Sequence, residues 1–298
     1  MEKNITTINR TTNTSALKNA VQGIYDIQKM RIMDGQRAVA GLKAKLGLPP
    51  STKEEEMDSE GKRLLKLIRA SYKRMTDGAV LVTRRNFKPD EEGIISDFAE
   101  FTLVQMYDSL LQAEERAVSN LKPIVEQFAL WNMYLKDVKG VGPMMAAVII
   151  SSLDIRKAKY PSSFWKYCGL DVAPDGKARS KRAEHLVDRE YVDKDGETKI
   201  KKGLTFKPFI RTKLLGVLGG SFLKAKHPKY SKIYYDARTR YENRPDLAES
   251  TKGHRHNMAM RYMIKMFLID LHVEWCKIEG LPVQVPYHEA KLGIKHTA

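Results

Sequence analysis

The sequence predicts a mainly α-helical protein: an N-terminal helical bundle or coiled arm, then a helical C-terminal domain with a helix-hairpin-helix and one small β-hairpin. Three observations carry that expectation. Apolar residues recur at three- and four-residue spacing over most of the chain, the period of an amphipathic helix. The run Val138-Lys139-Gly140-Val141-Gly142-Pro143-Met144-Met145-Ala146-Ala147 joins two apolar helix-forming segments through a glycine turn. Near Asp195-Gly196 the residues Tyr191 to Ile200 read as two short strands, because Asp-Gly favours the tight turn of a hairpin.

Taken in order, residues 1–15 are rich in Thr and Asn and read as a disordered tail. A helical bundle or coiled arm is expected over 16–122 and a separate C-terminal domain over 123–298. In the arm, Leu17, Val21, Ile24, Ile27 and Met30 mark one stripe of a helix that Leu48-Pro49-Pro50-Ser51 stops. The acidic run Glu54-Glu55-Glu56 opens onto a second helix over about 58–76. A third spans about 90–120, with Ile94, Phe98, Phe101, Met106, Leu110 and Val118 on one face, and Pro123 starts another reaching Val138. Such stripes need partners, so a homo-oligomer is expected. Beyond the glycine turn a short apolar helix covers Met144 to Leu153, and Ser162 caps the next through Phe164, Trp165, Tyr167 and Cys168. Helix returns from Pro208 to Leu223, from about Tyr230 to Tyr241, and from His254 to Ile278.

Charge points to the partner. Lys and Arg number 52 against 36 Asp and Glu, a formal net charge of +16, and from Arg156 to Arg240 there are 22 basic residues to 9 acidic. That concentration suits a polyanion. Cys168 and Cys276 are far apart, without the spacing of a zinc site or disulfide framework, and a reducing cytoplasm fits them; the polyanion partner adds the expectation of association with the nucleoid. The apolar stretch Met258 to Trp275 is broken by Arg261, Lys265 and Asp270, so no membrane segment is expected. His254 and His256 stand two apart, and side chains two apart on a helix diverge, so neither a metal site nor a cofactor is expected.

The glycine turn carries the binding expectation. Gly140 and Gly142 let a ligand approach the main chain closely, Pro143 suits the first turn of the next helix, and the free amides at that start favour an anion. Lys139, Gly140, Val141, Gly142 and Met144 are therefore expected to hold nucleic-acid backbone without reading bases. The aromatic residues among the cations, Phe164, Trp165, Tyr167, Tyr230, Tyr234, Tyr235 and Tyr241, are expected in the core, with one or two exposed.

The C-terminal half resembles the insertion-sequence transposases of the 110/116/902 group. The resemblance rests on Lys139-Gly140-Val141-Gly142-Pro143 with Ala146-Ala147, then Phe164-Trp165-Lys166-Tyr167-Cys168-Gly169-Leu170-Asp171, a basic loop, and Phe209-Ile210-Arg211-Thr212-Lys213-Leu214-Leu215. Tyr230-Ser231-Lys232-Ile233-Tyr234-Tyr235 and Asn257-Met258-Ala259-Met260-Arg261 continue it, over about residues 100–290. It implies DNA transposition or recombination, with DNA, and a guide RNA, as partners. It also implies a serine nucleophile toward DNA phosphodiester, and the matching position is Ser180. Arg179, Lys181 and Arg182, with Arg211 and Lys213, would neutralise charge on the phosphate oxygens, and His185 offers a base. Two departures stand out: Lys181 follows Ser180 where the family usually has glycine, and residues 1–100 lack the hydrophobic strands of the family's metal-binding RNase-H-like domain. A non-catalytic DNA- or RNA-binding accessory protein, and a structural or assembly protein with a basic surface, are the alternative classes.

Overall fold

The computed structural model describes residues 2–50, 57–78 and 81–284, with side chains from residue 14 onward. Helices α1 (Glu2–Lys45), α2 (Ser59–Thr76) and α3 (Phe98–Val125) come first. They are followed by α4 (Ala129–Met133), α5 (Pro143–Ser152) and α6 (Pro161–Tyr167). Strands β1 (Leu186–Val192) and β2 (Thr198–Leu204) precede α7 (Pro208–Thr212), α8 (Gly219–Lys224), α9 (Pro228–Glu242) and α10 (Lys252–Ile278). The chain is mainly α, and among the described residues the one sheet is the antiparallel pair β1–β2. No described helix is long and apolar enough to cross a membrane. Contacts divide the chain into two units, residues 19–121 and residues 122–298 together with 1–18.

In the first unit, Val39 and Leu42 of α1, Leu64 and Ile68 of α2, and Phe101 and Val104 of α3 share a core with Ile95. Helix α1 runs from Glu2, so the stretch read as a disordered tail has helical backbone. Once an apolar stripe has nucleated a helix, each further residue adds a hydrogen bond at little cost. The acidic run at 54–56 lies outside the described residues. Helix α3 starts at Phe98 instead of near residue 90, because Gly93 turns left-handed at φ 68° and Asp97 accepts the Ala99 and Glu100 amides as a cap. It also runs through Pro123 to Val125, leaving Ala129 to Asp137 to a short α4 and a 3-10 turn. Proline has no N–H to donate to Ser119 O, so the helix forgoes that bond and ends two residues later. The stripes are incompletely covered: Met30 is 49% exposed and Met106 53%. With Met33 and Leu110 they line one apolar groove.

In the second unit α10 is the central element: Met263, Ile264, Phe267, Leu268 and Leu271 are buried against α9, α8, α6 and α4. Phe222 of α8 stacks tilted on Tyr230 at 4.7 Å and meets Phe267 edge-on at 5.3 Å. Helix α5 is apolar on every side and its Ala146 to Ile149 are buried, the mark of a core helix. Pro161, not Ser162, opens α6; a proline suits the first helical position, so the cap moves to Tyr160, whose amide donates to Ser163 Oγ. Between α7 and α8 residues 213–218 form a π-helical wide turn. Of the aromatic set, Phe164, Trp165, Tyr230 and Tyr234 are buried, while Tyr167 and Tyr235 are exposed.

Candidate active site and nucleic-acid interface

The loop leaving α6 folds on itself before the strands begin. Gly169 turns left-handed, and the Arg179 amide donates to Asp171 O at 3.2 Å while Val172 and Ala178 form an isolated bridge. That pairing sets Arg179 beside Asp171, whose two carboxylate oxygens each accept from Arg179 Nε at 2.9 Å. Arg179 Nη1 also donates to Thr205 Oγ1 at 3.2 Å, tying the start of the loop to the residue just beyond β2. Arg179, expected on phosphate, is thus engaged by a carboxylate and a hydroxyl.

Ser180 follows that anchor. Its amide donates to His185 Nδ1 at 2.9 Å, so Nδ1 carries the lone pair and the ring proton sits on Nε2, which faces Asp175 Oδ2 at 3.1 Å. Ser180 Oγ lies 2.9 Å from the same Nδ1 and accepts from the Arg182 amide at 3.3 Å. His185 sits in a 3-10 turn leading into β1, its side chain almost fully buried. Asp175 belongs to a turn with Gly176 at φ 75°; the Lys177 amide, and then the His185 ring, hold its carboxyl below the usual carboxylate range. Serine, imidazole and carboxylate therefore stand in line, with the imidazole able to take the hydroxyl proton and the carboxylate keeping its tautomer.

A groove of about 280 Å³ opens on Ser180, lined also by Lys181, Phe206, Pro208, Arg211, Thr212 and Leu215. Lys181 and Arg182 are exposed. Arg211 lies over the Phe206 ring at 4.9 Å and donates to Arg179 O at 3.0 Å. Arg261 of α10 reaches the same carbonyl at 3.2 Å and Gly169 O at 2.9 Å, while its Nε is buried without a partner. Burial, then the neighbouring Arg211, pulls the Arg261 guanidinium down to about 10. Lys265, packed 4.1 Å from the Trp165 ring centre, is pulled down to about 8 by burial and by Arg261. Lys213 instead lies over Phe209 at 5.6 Å, its amine lowered by burial. Positive charge thus accumulates around Ser180 with Asp171 as counter-charge.

The glycine turn is a separate feature. The Val141 amide closes on Val138 O at 2.9 Å, and both valines are buried. Gly140 has φ 99°, and an added Cβ there would sit 3.1 Å from Phe222 Cδ1 and 3.3 Å from the Ser221 backbone. The close approach that Gly140 permits is to α8 of the protein itself. Gly142 differs: it is exposed, no atom lies within 4 Å of a Cβ built on it, and no side chain caps α5 there. Lys139 is exposed beside it and Met144 half-buried. The element entering the turn is the 3-10 segment Leu135–Asp137 rather than a long helix.

Among the described residues no group of three or more His, Cys, Asp or Glu side chains could hold a metal ion. His256 Nδ1 instead meets the Tyr234 hydroxyl at 2.6 Å. Sequence reasoning missed Asp175, Asp171, Arg261 and Lys265. The Pro174-Asp175-Gly176 turn signal was the available clue to Asp175; nothing local marks α10 as a wall of the site.

An oriented hydroxyl in a cationic loop is chemically able to attack an anionic ester. Residues 132–190 match the model of the Transposase IS116/IS110/IS902 family, a segment holding the glycine turn, α5, α6, Ser180 and His185. This match, over that segment, supports an IS110-group transposase family and a transposase-like role in transposition. No curated protein and no solved structure matches the chain.

Proposed function

We propose that the protein binds DNA and cleaves and rejoins its strands through Ser180. The alignment of Ser180 Oγ, His185 Nδ1 and Asp175 Oδ2, at 2.9 Å and 3.1 Å, carries this reading. In the forward step the hydroxyl proton passes to Nδ1, Oγ bonds to phosphorus, and the P–O bond to a sugar oxygen breaks. The imidazolium returns its proton to that leaving oxygen. The covalent phosphoserine diester keeps the strand activated, and attack by another strand's hydroxyl reverses the sequence. Arg211 and Lys181, which line the groove, offset charge on the non-bridging oxygens, and Arg182 presents its amide to Oγ. The open start of α5 with Lys139 holds backbone at a second, separate point. The donor set of a divalent metal is not assembled among the described residues. Two copies act together, the second covering the Met30, Met33 and Met106 groove of the arm.

The test is a protein–DNA adduct stable to denaturant, formed on DNA carrying the sequences that flank the gene. It is expected from the intact protein and absent from Ser180→Ala, with DNA binding retained in both. Binding without adduct by the intact protein would identify an accessory binder, and an adduct that survives Ser180→Ala would refute the assignment.

A further inference from the structure

The β1–β2 ribbon buries neither face. Apart from Leu186, Gly203 and Leu204 at its base, every residue of both strands is exposed, including Val187, Tyr191, Val192 and Ile200. A lone two-stranded hairpin in water is marginal, and one that adds nothing to the core calls for another reason to exist. Its register supplies the reason. Val187 pairs with Gly203, Arg189 with Lys201 and Tyr191 with Lys199, so these six share one face. That face carries three cations, one ring and no carboxylate. The other face pairs Asp188 with Lys202 and Glu190 with Ile200, two carboxylates to one cation, and Lys202 is bound to Asp188 at 2.7 Å.

The cationic face is also kept narrow. Arg189 lies along Gly203, where an added Cβ would meet its Cδ at 2.6 Å, and its Nη2 donates to Leu204 O at 2.6 Å. Lys199 is drawn toward the tip by Asp193 and Glu197. Arg189 and Lys201 have no carboxylate partner among the described residues. At the tip Gly196 is left-handed and its amide meets Asp193 O at 3.2 Å; Asp195 and Glu197 there would repel phosphates, so contact falls on the ribbon's middle.

From this geometry we infer that the Arg189, Tyr191 and Lys201 face of the ribbon seats in the major groove of duplex DNA. The dimensions decide between nucleic acids. Seven residues per strand span about 23 Å, and the B-form major groove, about 12 Å wide, admits a two-stranded ribbon. The deep, narrow major groove of A-form RNA does not. The ribbon begins directly after His185, so this contact would fix the duplex relative to Ser180. The inference rests on the DNA-binding reading above, and deepens it.

The experiment compares adjacent lysines on opposite faces. The intact protein, Lys201→Gln, Arg189→Gln/Lys201→Gln and Lys202→Gln are titrated by fluorescence anisotropy with a random-sequence DNA duplex and an RNA duplex of the same sequence, over a range of salt. The slope of log affinity against log salt is expected to fall by about 1 for Lys201→Gln and about 2 for the double variant. Lys202→Gln is expected to leave it unchanged, and RNA binding should not separate Lys201→Gln from Lys202→Gln. Equal slopes for Lys201→Gln and Lys202→Gln on DNA, or equal losses on DNA and RNA, overturn the inference alone. Failure of the intact protein to bind the DNA duplex overturns the underlying reading with it. Unchanged melting of the variants shows that the ribbon's exposed side chains were removed without unfolding.

Discussion

Replacing Gly140 and Gly142 one at a time by alanine separates two roles that the sequence runs together. At Gly140 the φ of 99° is closed to ordinary L side chains, a strain of about 1–2 kcal/mol. The new Cβ would press on Phe222 Cδ1 at 3.1 Å and on Ser221 backbone at 3.3 Å, and backbone cannot swing aside. Overpacking of that kind adds about 1–3 kcal/mol, so Gly140→Ala is expected to cost about 2–5 kcal/mol. For a unit of this size each kcal/mol lowers Tm by about 2–4 °C, giving a drop on the order of 10 °C. Gly142 has φ −97° and ψ 173°, extended backbone open to any residue, with nothing within 4 Å of a Cβ. There alanine costs less than about 1 kcal/mol, the difference between glycine and alanine as an N-cap. Its methyl would enter the open space before α5 through which a phosphate would approach, so DNA affinity is expected to fall several-fold while the protein stays folded. Calorimetry and anisotropy on the two variants provide the assay. A Gly140→Ala protein within about 0.5 kcal/mol of the parent, or a Gly142→Ala protein less stable than Gly140→Ala, would refute this division.

Other outcomes follow from the loop and its floor. His185→Gln is expected to slow adduct formation by about 10²–10⁴-fold, and Asp175→Asn, at the exposed end of the relay, by about 10–10²-fold, both read by gel time courses with binding unchanged. Asp171→Asn leaves Arg179 without its carboxylate, at side-chain exposures of 11% and 19% for the pair, and should cost about 3 kcal/mol in urea unfolding. The double variant Asp171→Asn/Arg179→Met should recover much of that loss. Lys265 carries its burial cost while it is protonated in the fold, so that cost is fully present below about pH 8 and relieved as pH rises toward the ordinary 10.5. The interval corresponds to about 3 kcal/mol, partly offset by the Trp165 ring, so Lys265→Met should be more stable at pH 7 and lose that advantage by pH 10. A Lys265→Met protein less stable than the parent at pH 7 would show that the ring contact outweighs burial.

Periodicity and turn chemistry were enough to identify α2, α9, α10 and the hairpin, because a stripe of apolar residues and an Asp-Gly pair act over distances of a few residues. Ser180 and His185 were legible as residue types in a basic loop. Local pattern misplaced the start of α3 and the path of the chain after Pro123, where a left-handed Gly93 and a tolerated proline overrode the expected boundaries. Tertiary structure alone decided that Gly140 lies against α8, that Arg179 pairs with Asp171, and that Arg261 of α10 meets Arg211 at the Arg179 carbonyl. It also decided which ribbon cations share a face. A sequence records which residue types lie nearby along the chain, whereas burial, shared hydrogen-bond acceptors and like-charge crowding depend on segments that meet through space, here α10 and a loop some eighty residues before it.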